Sequence, residues 1–521
     1  MDIVKTLLAN RGLKTKKAIE EFFHPTRPED LKSPFGSKPA IRLIKSHIKK
    51  GHKIAIYGDY DVDGLCSTAI LWETLYSTYK NVFPHIPHRE SEGYGLSIKG
   101  IDHCLEQGAK LIIAVDNGIV AHEQVKYCRD KKCDIIIIDH HEPGAPLNTK
   151  YLIHNTGSCA AGLTWFFCRD YLLTNHEPTN QLTSQLQLAA IATICDIVPL
   201  IGPNRSFVKY GLEELNHTTR PGLLALFEEA QLPSPRLGEG LGVRYLITPY
   251  HVGFIIGPRL NATGRLEHAI DSLRLLCTKD LVRAGQLAAS LGQTNRDRQD
   301  ATLSAVTHAL SVAKESNIII VADKSYHQGI IGLVAAKLVE KYHRPAMAIS
   351  IGETQSKGSA RSISGFHITD HLRTAEKLLI NVGGHAMAAG FTVTNSNLPK
   401  LLKKLNNIKI DPKLFKKIQR VDLEIPLSTI NHELTNQLTL FEPFGLGNPT
   451  PVFSTPGVEL SNIRRLGKLG QHLKFKAGNF EAIWFNTSHN LEPNPYNLTY
   501  QVEEDTWNGQ SKLQLVIKTV T

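Results

Sequence analysis

The sequence has no long apolar run. No stretch of 18 consecutive apolar residues occurs among its 521 positions, and residues 1–17 contain no apolar segment typical of a signal peptide. A membrane-spanning helix needs about 20 apolar residues, and a secretory signal needs an apolar core of about 7–15. The sequence therefore predicts a cytoplasmic protein without a membrane partner.

Cysteine is scarce, and no two cysteines have the CxxC spacing of a redox or zinc motif. Most of the eight lie in apolar segments. This distribution is typical of small buried thiols in a reducing compartment, and it argues against disulfides and against a cysteine zinc site. The cysteines are Cys66, Cys104, Cys128, Cys133, Cys159, Cys168, Cys195 and Cys277.

Charge of neither sign dominates. Lysine and arginine number 59 against 49 aspartate and glutamate, which gives a net charge of +10. Such an excess is compatible with a polyanionic partner but does not identify one, because net charge affects association and not fold. The composition is that of a globular protein, and the length predicts two to four domains.

Short β-branched runs alternate with amphipathic segments in the first half of the chain. Strands are predicted at 54–57, 111–115, 135–138 and 151–153, with helices between them. Uninterrupted apolar strands joined by helices indicate a parallel sheet that is buried on both faces. The fold class is therefore α/β.

The rest of the chain predicts three further regions. A charged stretch predicts a long connecting helix, a second α/β unit follows it, and short β-like runs near the C-terminus indicate a small β-barrel or sandwich. We expect a first region of N-terminal helices and an α/β domain (1–225), a helical connection (226–316), the second α/β domain (317–420) and the β domain (421–521).

Acidic and histidine residues follow three predicted strands. They lie in the segment 58–64, at Asp116 and in the triplet 139–141. Ligands bind at the carboxyl ends of strands in parallel sheets, and clustered carboxylates are costly unless a cation neutralises them. Oxygen and imidazole ligands suit Mn²⁺ or Mg²⁺. Two such ions about 3.5–4 Å apart commonly serve phosphodiester hydrolysis.

Each of these residues also has an ordinary structural interpretation. A single aspartate after a strand is usually a helix cap or a turn residue, and a single histidine is more often structural than a ligand. Three strand ends together argue against that interpretation. Asp196 follows a buried helix, and alone it fits a metal ligand or a polar helix end equally well.

Four ordered motifs resemble those of the DHH phosphodiesterases. The first reads YGDYDVDG at 57–64, and the form GDYDVDG resembles that of the RecJ branch of the family. The segment GGHAMAAG at 383–390 resembles the GGHxxAAG signature of the associated DHHA1 domain, and the resemblance covers about residues 10–455. The other three motifs are Asp116-Asn-Gly, Asp139-His-His and Asp196.

The resemblance implies a fold and a metal site. The fold would be a parallel-sheet DHH domain, a long helix, an α/β DHHA1 domain and a C-terminal OB-like barrel. Asp116 would bridge two ions, and Asp59 and His141 would be catalytic residues beside them, with His141 orienting a ligand or contacting the scissile phosphate. The implied metal ligands are Asp61, Asp63, Asp116, His140 and Asp196.

Further residues are candidates for substrate binding. Arg89 and Tyr94 suit a phosphate clamp with base stacking, and similar residues occur in RecJ-like proteins; the alternative is an ordinary surface loop. Two arginines in a Gly-rich segment, predicted as a loop, are candidate phosphate contacts or structurally neutral cations. Small residues and cations at predicted loop positions 357–362 and 383–385 suit close backbone approach to a phosphate. These remaining candidates are Arg259, Arg265, Ser359, Arg361 and His385.

The tail combines basic and aromatic residues. This pattern is typical of an OB platform for single strands and also of a solvated charged face. The residues are Arg464, Arg465, Lys468, Lys474, Lys476, Phe475 and Trp484.

The resemblance implies a 5′ to 3′ exonuclease that releases mononucleotides from single-stranded DNA in recombination and repair. It also implies single-stranded-DNA-binding protein and a helicase as partners, and a monomer is the default state. One alternative is a DHH enzyme for short oligoribonucleotides or cyclic dinucleotides, which typically lack the OB domain and the GDYDVDG form. Another is a non-catalytic DNA-binding scaffold, which should have lost metal ligands that this chain retains.

Overall fold

The computed structural model describes residues 2–89, 91–93, 95–232, 247–467, 470–505 and 512–521. The chain divides into two compact units, so the C-terminal strands fold together with the N-terminal half of the chain. No helix in the described ranges is long and apolar enough to cross a bilayer. The first unit contains Met1–Leu260, Ala269–Ala289 and Gln419–Thr521, and the second contains Asn261–His268 and Ser290–Ile418.

A five-stranded parallel sheet organises the first unit, as the sequence predicts. Its strand order is β2-β1-β3-β4-β5, and every neighbouring pair is parallel. The central strands are buried on both faces, which explains their uninterrupted apolar runs. The strands are β1 (Lys53–Tyr57), β2 (Val82–His85), β3 (Ala109–Val115), β4 (Asp134–Asp139) and β5 (Leu152–His154).

Fourteen α-helices are described in the chain up to Val312. The predicted connecting helix is confirmed as α14, which has 32 residues. The helices are α1 (Ile3–Asn10), α2 (Lys16–Phe23), α3 (Lys38–Lys49), α4 (Val62–Thr78), α5 (Ile98–Glu106), α6 (His122–Asp130), α7 (Ala160–Asn175), α8 (Asn180–Cys195), α9 (Gly202–Asn216), α10 (Pro221–Glu229), α11 (Pro249–His251), α12 (Gly257–Leu266), α13 (Ile270–Cys277) and α14 (Leu281–Val312).

The prediction of a loop at 257–265 is wrong, because this segment lies in α12. A π-helical stretch, Val252–Ile256, joins α11 to α12, so the chain is helical from 249 to 266. Gly257 has ordinary right-handed helical angles. A Cβ atom at this position would lie 2.4 Å from Sγ of Cys195. The glycine therefore permits close helix packing and does not mark a turn.

The second unit is built on a five-stranded mixed sheet of order β6-β7-β8-β10-β9. Only β6 and β7 are parallel, and the other neighbours are antiparallel. Its elements are β6 (Ile319–Asp323), α15 (Ile331–Tyr342), β7 (Ala346–Ile351), β8 (Gln355–Arg361), α16 (Ile368–Arg373), β9 (Leu379–His385), β10 (Ala388–Thr394) and α17 (Leu398–Asn406).

The prediction of loops at 357–362 and 383–385 is also wrong, because these segments belong largely to β8 and β9. Small residues occupy the buried positions of β8 because a bulky side chain from the neighbouring strand covers them. A Cβ atom on Gly358 would lie 2.0 Å from the ring of Phe391 on β10. The small residues therefore reflect packing within a sheet.

The C-terminal strands close into a five-stranded barrel. The order is β12-β13-β14-β16-β15, and β15 pairs back to β12. Among the predicted basic residues, Arg464 and Arg465 lie on β12 and Lys474 and Lys476 on β13, whereas Lys468 lies outside the described residues. The elements are β11 (Leu423–Glu424), α18 (His432–Thr439), β12 (Phe453–Leu466), β13 (His472–Ala477), β14 (Phe480–Trp484), β15 (Pro495–Asp505) and β16 (Lys512–Val520).

The buried guanidinium of Arg205 on α9 joins three parts of the first unit. It donates to the carbonyl of Phe22 at 2.7 Å and to those of Phe441 and Glu442 at 3.1 and 2.8 Å. It also donates to the carbonyl of Pro443 at 3.3 Å and lies 3.8 Å from the centre of the Phe22 ring. Burial lowers the pKa of Arg205 to about 10. One side chain thus satisfies carbonyls at the end of α2 and in the segment that leads into the barrel.

Replacing Arg205 should destabilise the first unit. Arg205→Met leaves the carbonyl oxygens of Phe22 and Glu442 without their side-chain donor, so we expect the free energy of unfolding to fall by about 3 kcal/mol. Urea unfolding followed by tryptophan fluorescence measures this change. Arg283→Met, at an exposed position of α14, is the control and should change the free energy by less than about 0.5 kcal/mol. Equal effects of the two substitutions would contradict a joining role for Arg205.

Candidate metal centre

Three neighbouring strands deliver acidic and histidine side chains to one edge of the parallel sheet. Asp59 follows β1, Asp116 follows β3, and the triplet 139–141 begins with the last residue of β4. Asp61 caps the N-terminus of α4, where its side chain accepts the N–H of Gly64 at 3.0 Å. The loop after β1 therefore places its carboxylates beside those of the next two strands.

His140 lies at the centre of this group. Its Nε2 atom is 3.3 Å from Oδ1 of Asp116, 3.6 Å from Oδ2 of Asp63 and 3.7 Å from Oδ2 of Asp196. Its side chain is only 12% exposed. Asp196 is the C-terminal cap of α8, so a helix end brings the fourth motif to the same place. One imidazole is thus shared among three carboxylates.

The seven residues that were predicted as metal ligands or catalytic groups lie together. Their ligand atoms form three overlapping sets, and the atoms of each set lie within 4.8 Å of one another. Asp116 belongs to two of the sets, as does His140, so either could serve two cations. The sets are Asp116, His140 and His141; Asp63, His140 and Asp196; and Asp59, Asp61 and Asp116.

Asp63 is held by the N-terminus of α7. Its two carboxylate oxygens accept the N–H groups of Ala160 and Ala161 at 2.7 and 2.8 Å. These donors belong to the first turn of the helix, where free N–H groups and the helix dipole favour a negative charge. The interaction fixes the orientation of a carboxylate that is 2% exposed.

Asp59 supplies a direct test of whether a cation fits here. Its Oδ1 accepts the N–H of Tyr60 at 2.7 Å, but Oδ2 is buried and has no hydrogen-bond donor in the described part of the chain. An unsatisfied buried carboxylate oxygen is expensive. A divalent cation with a preference for oxygen ligands would satisfy it. The residues present therefore fit such an ion.

The electrostatics of the cluster lead to the same conclusion. Burial and the neighbouring carboxylates raise the pKa of Asp116 well above its ordinary value. Burial, with the charges of Asp63 and Asp61, raises the pKa of Asp196 to about 8. Burial and Asp61 likewise raise the pKa of Asp59. Without a cation the raised pKa values favour the protonated carboxyl groups, and a bound cation would displace these protons.

Asp139 is a positioning residue to which the sequence analysis gave a place in the third motif but no individual role. Its Oδ1 bonds Nδ1 of His141 at 2.7 Å, and its Oδ2 accepts the N–H of Ile119 at 2.9 Å. Burial alone would lower the pKa of His141, but the hydrogen bond and charge of Asp139 outweigh burial and raise it to about 9. The sequence feature that could have indicated this role is its position directly before two histidines at the end of a strand.

Asp116 has an unusual backbone conformation. Its φ is +64°, in the left-handed region that non-glycine residues seldom occupy. The next residue stabilises this turn, because the amide of Asn117 donates to the carbonyls of Gly58 and Val115 at 3.1 and 2.9 Å. Such strain is concentrated at functional sites, and here it accompanies a carboxylate that is shared by two ligand sets.

The predicted phosphate clamp follows β2. The guanidinium of Arg89 lies 5.0 Å from the centre of the Tyr60 ring. Tyr60 belongs to the loop that carries Asp59 and Asp61. Glu92 anchors the segment, since it bonds Nε2 of His85 at 2.9 Å and accepts the N–H of His88 at 3.1 Å. Tyr94 lies outside the described residues. Arg89 is thus beside the metal-centre loop.

The other substrate candidates lie elsewhere. In the first unit, Nε of Arg259 bonds Oε2 of Glu229 at 2.7 Å, so this arginine is engaged in a half-buried ion pair. In the second unit, Arg265 donates to the carbonyl of Gly329 at 3.2 Å. Arg361 lies 3.4 Å from Oγ of Ser359 on β8. His385 is exposed at the end of β9.

Models of three protein domains match the chain. The DHH family N-terminal domain matches residues 53–193, which include the parallel sheet. The DHHA1 domain matches 315–410, and the RecJ OB domain matches 421–519.

Full-length relatives match nearly the whole chain. The single-stranded-DNA-specific exonuclease RecJ of Bacillus subtilis is 34% identical over 99% of this chain and 67% of its own length. RecJ of Thermus thermophilus is 31% identical over 93% of this chain and 71% of its own. RecJ of Escherichia coli is 27% identical, over 99% of this chain and 95% of its own.

Solved structures agree with these relatives. The crystal structure of Thermus thermophilus RecJ in complex with Mn²⁺ superposes with a TM-score of 0.84 and 26% identity, over 100% of this chain and 76% of that one. An exonuclease RecJ bound to manganese gives 0.62 and 31%, over 73% and 95%. The fold, the ordered motifs and the identities together show that the chain belongs to the RecJ family of DHH proteins.

Proposed function

We propose that the protein is a metal-dependent exonuclease that degrades single-stranded DNA from the 5′ end and releases mononucleotides. The observation that carries the proposal is the convergence of Asp59, Asp116 and His140 with four further ligating residues at one sheet edge, in a chain of the RecJ family. In this proposal the protein acts in DNA recombination and repair in the cytoplasm.

The metal-binding residues are proposed from the geometry and the family motifs. When bound, Mn²⁺ or Mg²⁺ supplies a Lewis acid that activates water and stabilises the charge on the reacting phosphate. The oxygen-rich ligand set suits these hard cations. Two ions would be held by Asp61, Asp63, Asp116, His140 and Asp196, of which Asp116 would serve both, and Asp59 would belong to the same cluster.

Other residues bind and orient the strand in this proposal. The hydrogen bond to Asp139 orients His141 and, in the metal-free protein, raises its pKa to about 9, so this side chain is suited to contact the scissile phosphate. Arg89 and Tyr94 bind the 5′ end. In the second unit, Arg265, Ser359, Arg361 and His385 contact the DNA backbone. Arg259 can do so only if it leaves Glu229, which lies 2.7 Å away.

The domain boundaries, the oligomeric state, the protein partners and the role of the barrel are also proposals. Domain boundaries are placed between 225 and 226, 316 and 317, and 420 and 421. The protein acts as a monomer, and single-stranded-DNA-binding protein and a helicase are its partners. The C-terminal barrel contacts single-stranded DNA through its basic strands β12 and β13.

The proposed reaction is tested with oligodeoxynucleotides labelled at either end. We expect mononucleotides to leave from the 5′ end of a single strand with Mn²⁺ or Mg²⁺ and no product with EDTA, because the carboxylates need a cation to act. Duplex DNA is the control and should persist. Cleavage of only two- to five-residue oligoribonucleotides or of cyclic dinucleotides would identify a different DHH activity, and binding without cleavage would identify a scaffold.

Asp116→Ala should abolish hydrolysis, since it removes the carboxylate that is common to two ligand sets. We expect a loss of turnover of at least about 10³-fold, with single-strand affinity within about threefold of wild type in fluorescence anisotropy. Asp130→Asn, which removes an exposed carboxylate on α6, is the matched control and should retain full activity. Metal-dependent turnover by the Asp116 variant would overturn the assignment.

Metal-induced stabilisation should increase with pH. The raised pKa of Asp196, about 8 against an ordinary 3.8, means that the folded metal-free protein holds a proton that the unfolded chain releases. Its stability therefore falls as the pH rises through this range. Because the cation displaces the proton, Mn²⁺ should raise the unfolding midpoint more at about pH 8 than at about pH 6.

Thermal unfolding in EDTA and in Mn²⁺ measures this difference. Asp196→Asn removes the titrating group and should flatten the pH dependence of the metal-free protein. An equal Mn²⁺ effect at both pH values would contradict proton displacement.

A further inference from the structure

A pair of exposed aromatic rings lies on the helical segment that begins at α11. The side chains of Tyr250 and Phe254 are 62% and 71% exposed. Their ring centres are 5.1 Å apart with an interplanar angle of 27°, so the rings stack on each other. Large aromatic side chains are normally buried or partly covered. Two neighbouring rings left open to solvent therefore mark a candidate binding surface.

This segment packs directly against the end of α8 that carries Asp196. Gly253 lies against the side chain of Ile194, where a Cβ atom would be 3.6 Å from Cγ2. Sγ of Cys195 lies 3.8 Å from the carbonyl oxygen of Val252. The segment that carries the aromatic pair thus packs against the two residues that directly precede Asp196, and all of these residues belong to the first unit.

We propose that Tyr250 and Phe254 form a stacking subsite for unpaired bases of the DNA strand whose terminal phosphodiester lies in the metal centre. The proposal rests on the proposed exonuclease activity and extends it to a named base-binding site. Flat aromatic faces bind nucleobases without regard to sequence. The faces of bases in a duplex are already stacked on their neighbours, so the subsite favours a single strand over a duplex.

The chemistry of the surface favours bases over phosphates as its ligand. The two rings offer π-faces, and the ring of His251 contacts that of Tyr250 edge to face at 5.9 Å between ring centres. The closest arginine along α12, Arg259, is paired with Glu229. Phosphates are recognised mainly by cations and by free backbone N–H groups. The bases are therefore the part of the strand that this surface contacts.

The test compares strands with and without bases. In a Tyr250→Leu/Phe254→Leu double variant, KM for a single-stranded oligonucleotide should rise about tenfold, because base–aromatic stacking is worth about 1–3 kcal/mol per base and about 1.4 kcal/mol corresponds to tenfold. KM for a strand of the same length that carries a run of abasic residues should be the same in the variant and the wild type. Single abasic residues moved along the strand should weaken wild-type binding at one or two adjacent positions.

A matched control exists on α4. Tyr76 is 38% exposed and stacks on Trp72 at 4.8 Å with an angle of 23°, but it lies near the C-terminal end of α4, whereas Asp61 caps the opposite end. Tyr76→Leu should leave KM unchanged for both strands. This variant controls for the loss of an exposed stacked ring.

Two results would overturn the subsite. One is a double variant whose KM for the normal strand stays within twofold of wild type, which is also the result expected of a surface that binds a protein partner. The other is an equal rise in KM for the normal and the abasic strands. If the wild type does not cleave DNA, equilibrium binding of a fluorescent strand in EDTA gives the same comparison, so failure of the subsite and failure of the exonuclease proposal remain distinguishable.

Discussion

Mutual repulsion among buried carboxylates is the constraint on which the site and its surroundings depend. Asp59, Asp63 and Asp116 are almost fully buried side by side, an arrangement that favours retained protons or bound cations. Backbone N–H groups hold the carboxylates of Asp59 and Asp63, and Asp116 has a left-handed backbone conformation at the end of a strand. The parallel sheet makes this possible because adjacent strands end at the same edge.

The sequence predicts the parts of the fold that depend on local pattern. The apolar runs of β1, β3 and β4 identify buried parallel strands, and the polar residues that follow them identify the site, because strand direction alone decides which edge they occupy. The errors occurred where glycine was interpreted as a turn. Gly257 and Gly358 serve close packing against Cys195 and Phe391, partners that are distant in sequence.

Long-range pairs also lay beyond sequence reasoning. The sequence predicts Arg259 as a candidate contact to DNA phosphates, but its side chain forms an ion pair with Glu229. These two positions are 30 residues apart, and no sequence motif predicts their contact. The exposure of the Tyr250 and Phe254 rings was also beyond prediction from the sequence, since helical spacing alone does not show whether rings are buried. The four-residue spacing favours contact, but only tertiary structure shows that the rings are exposed.

The joining role of Arg205 bears on how the chain is made. Its barrel-side carbonyl acceptors lie 236–238 residues later in the chain. At about 5–20 residues per second, a ribosome needs roughly 12–48 s to synthesise that distance. During this interval the guanidinium can bind the carbonyl of Phe22, but its other three carbonyl acceptors have not yet been synthesised. The C-terminal strands therefore complete the unit to which the first-made helices belong.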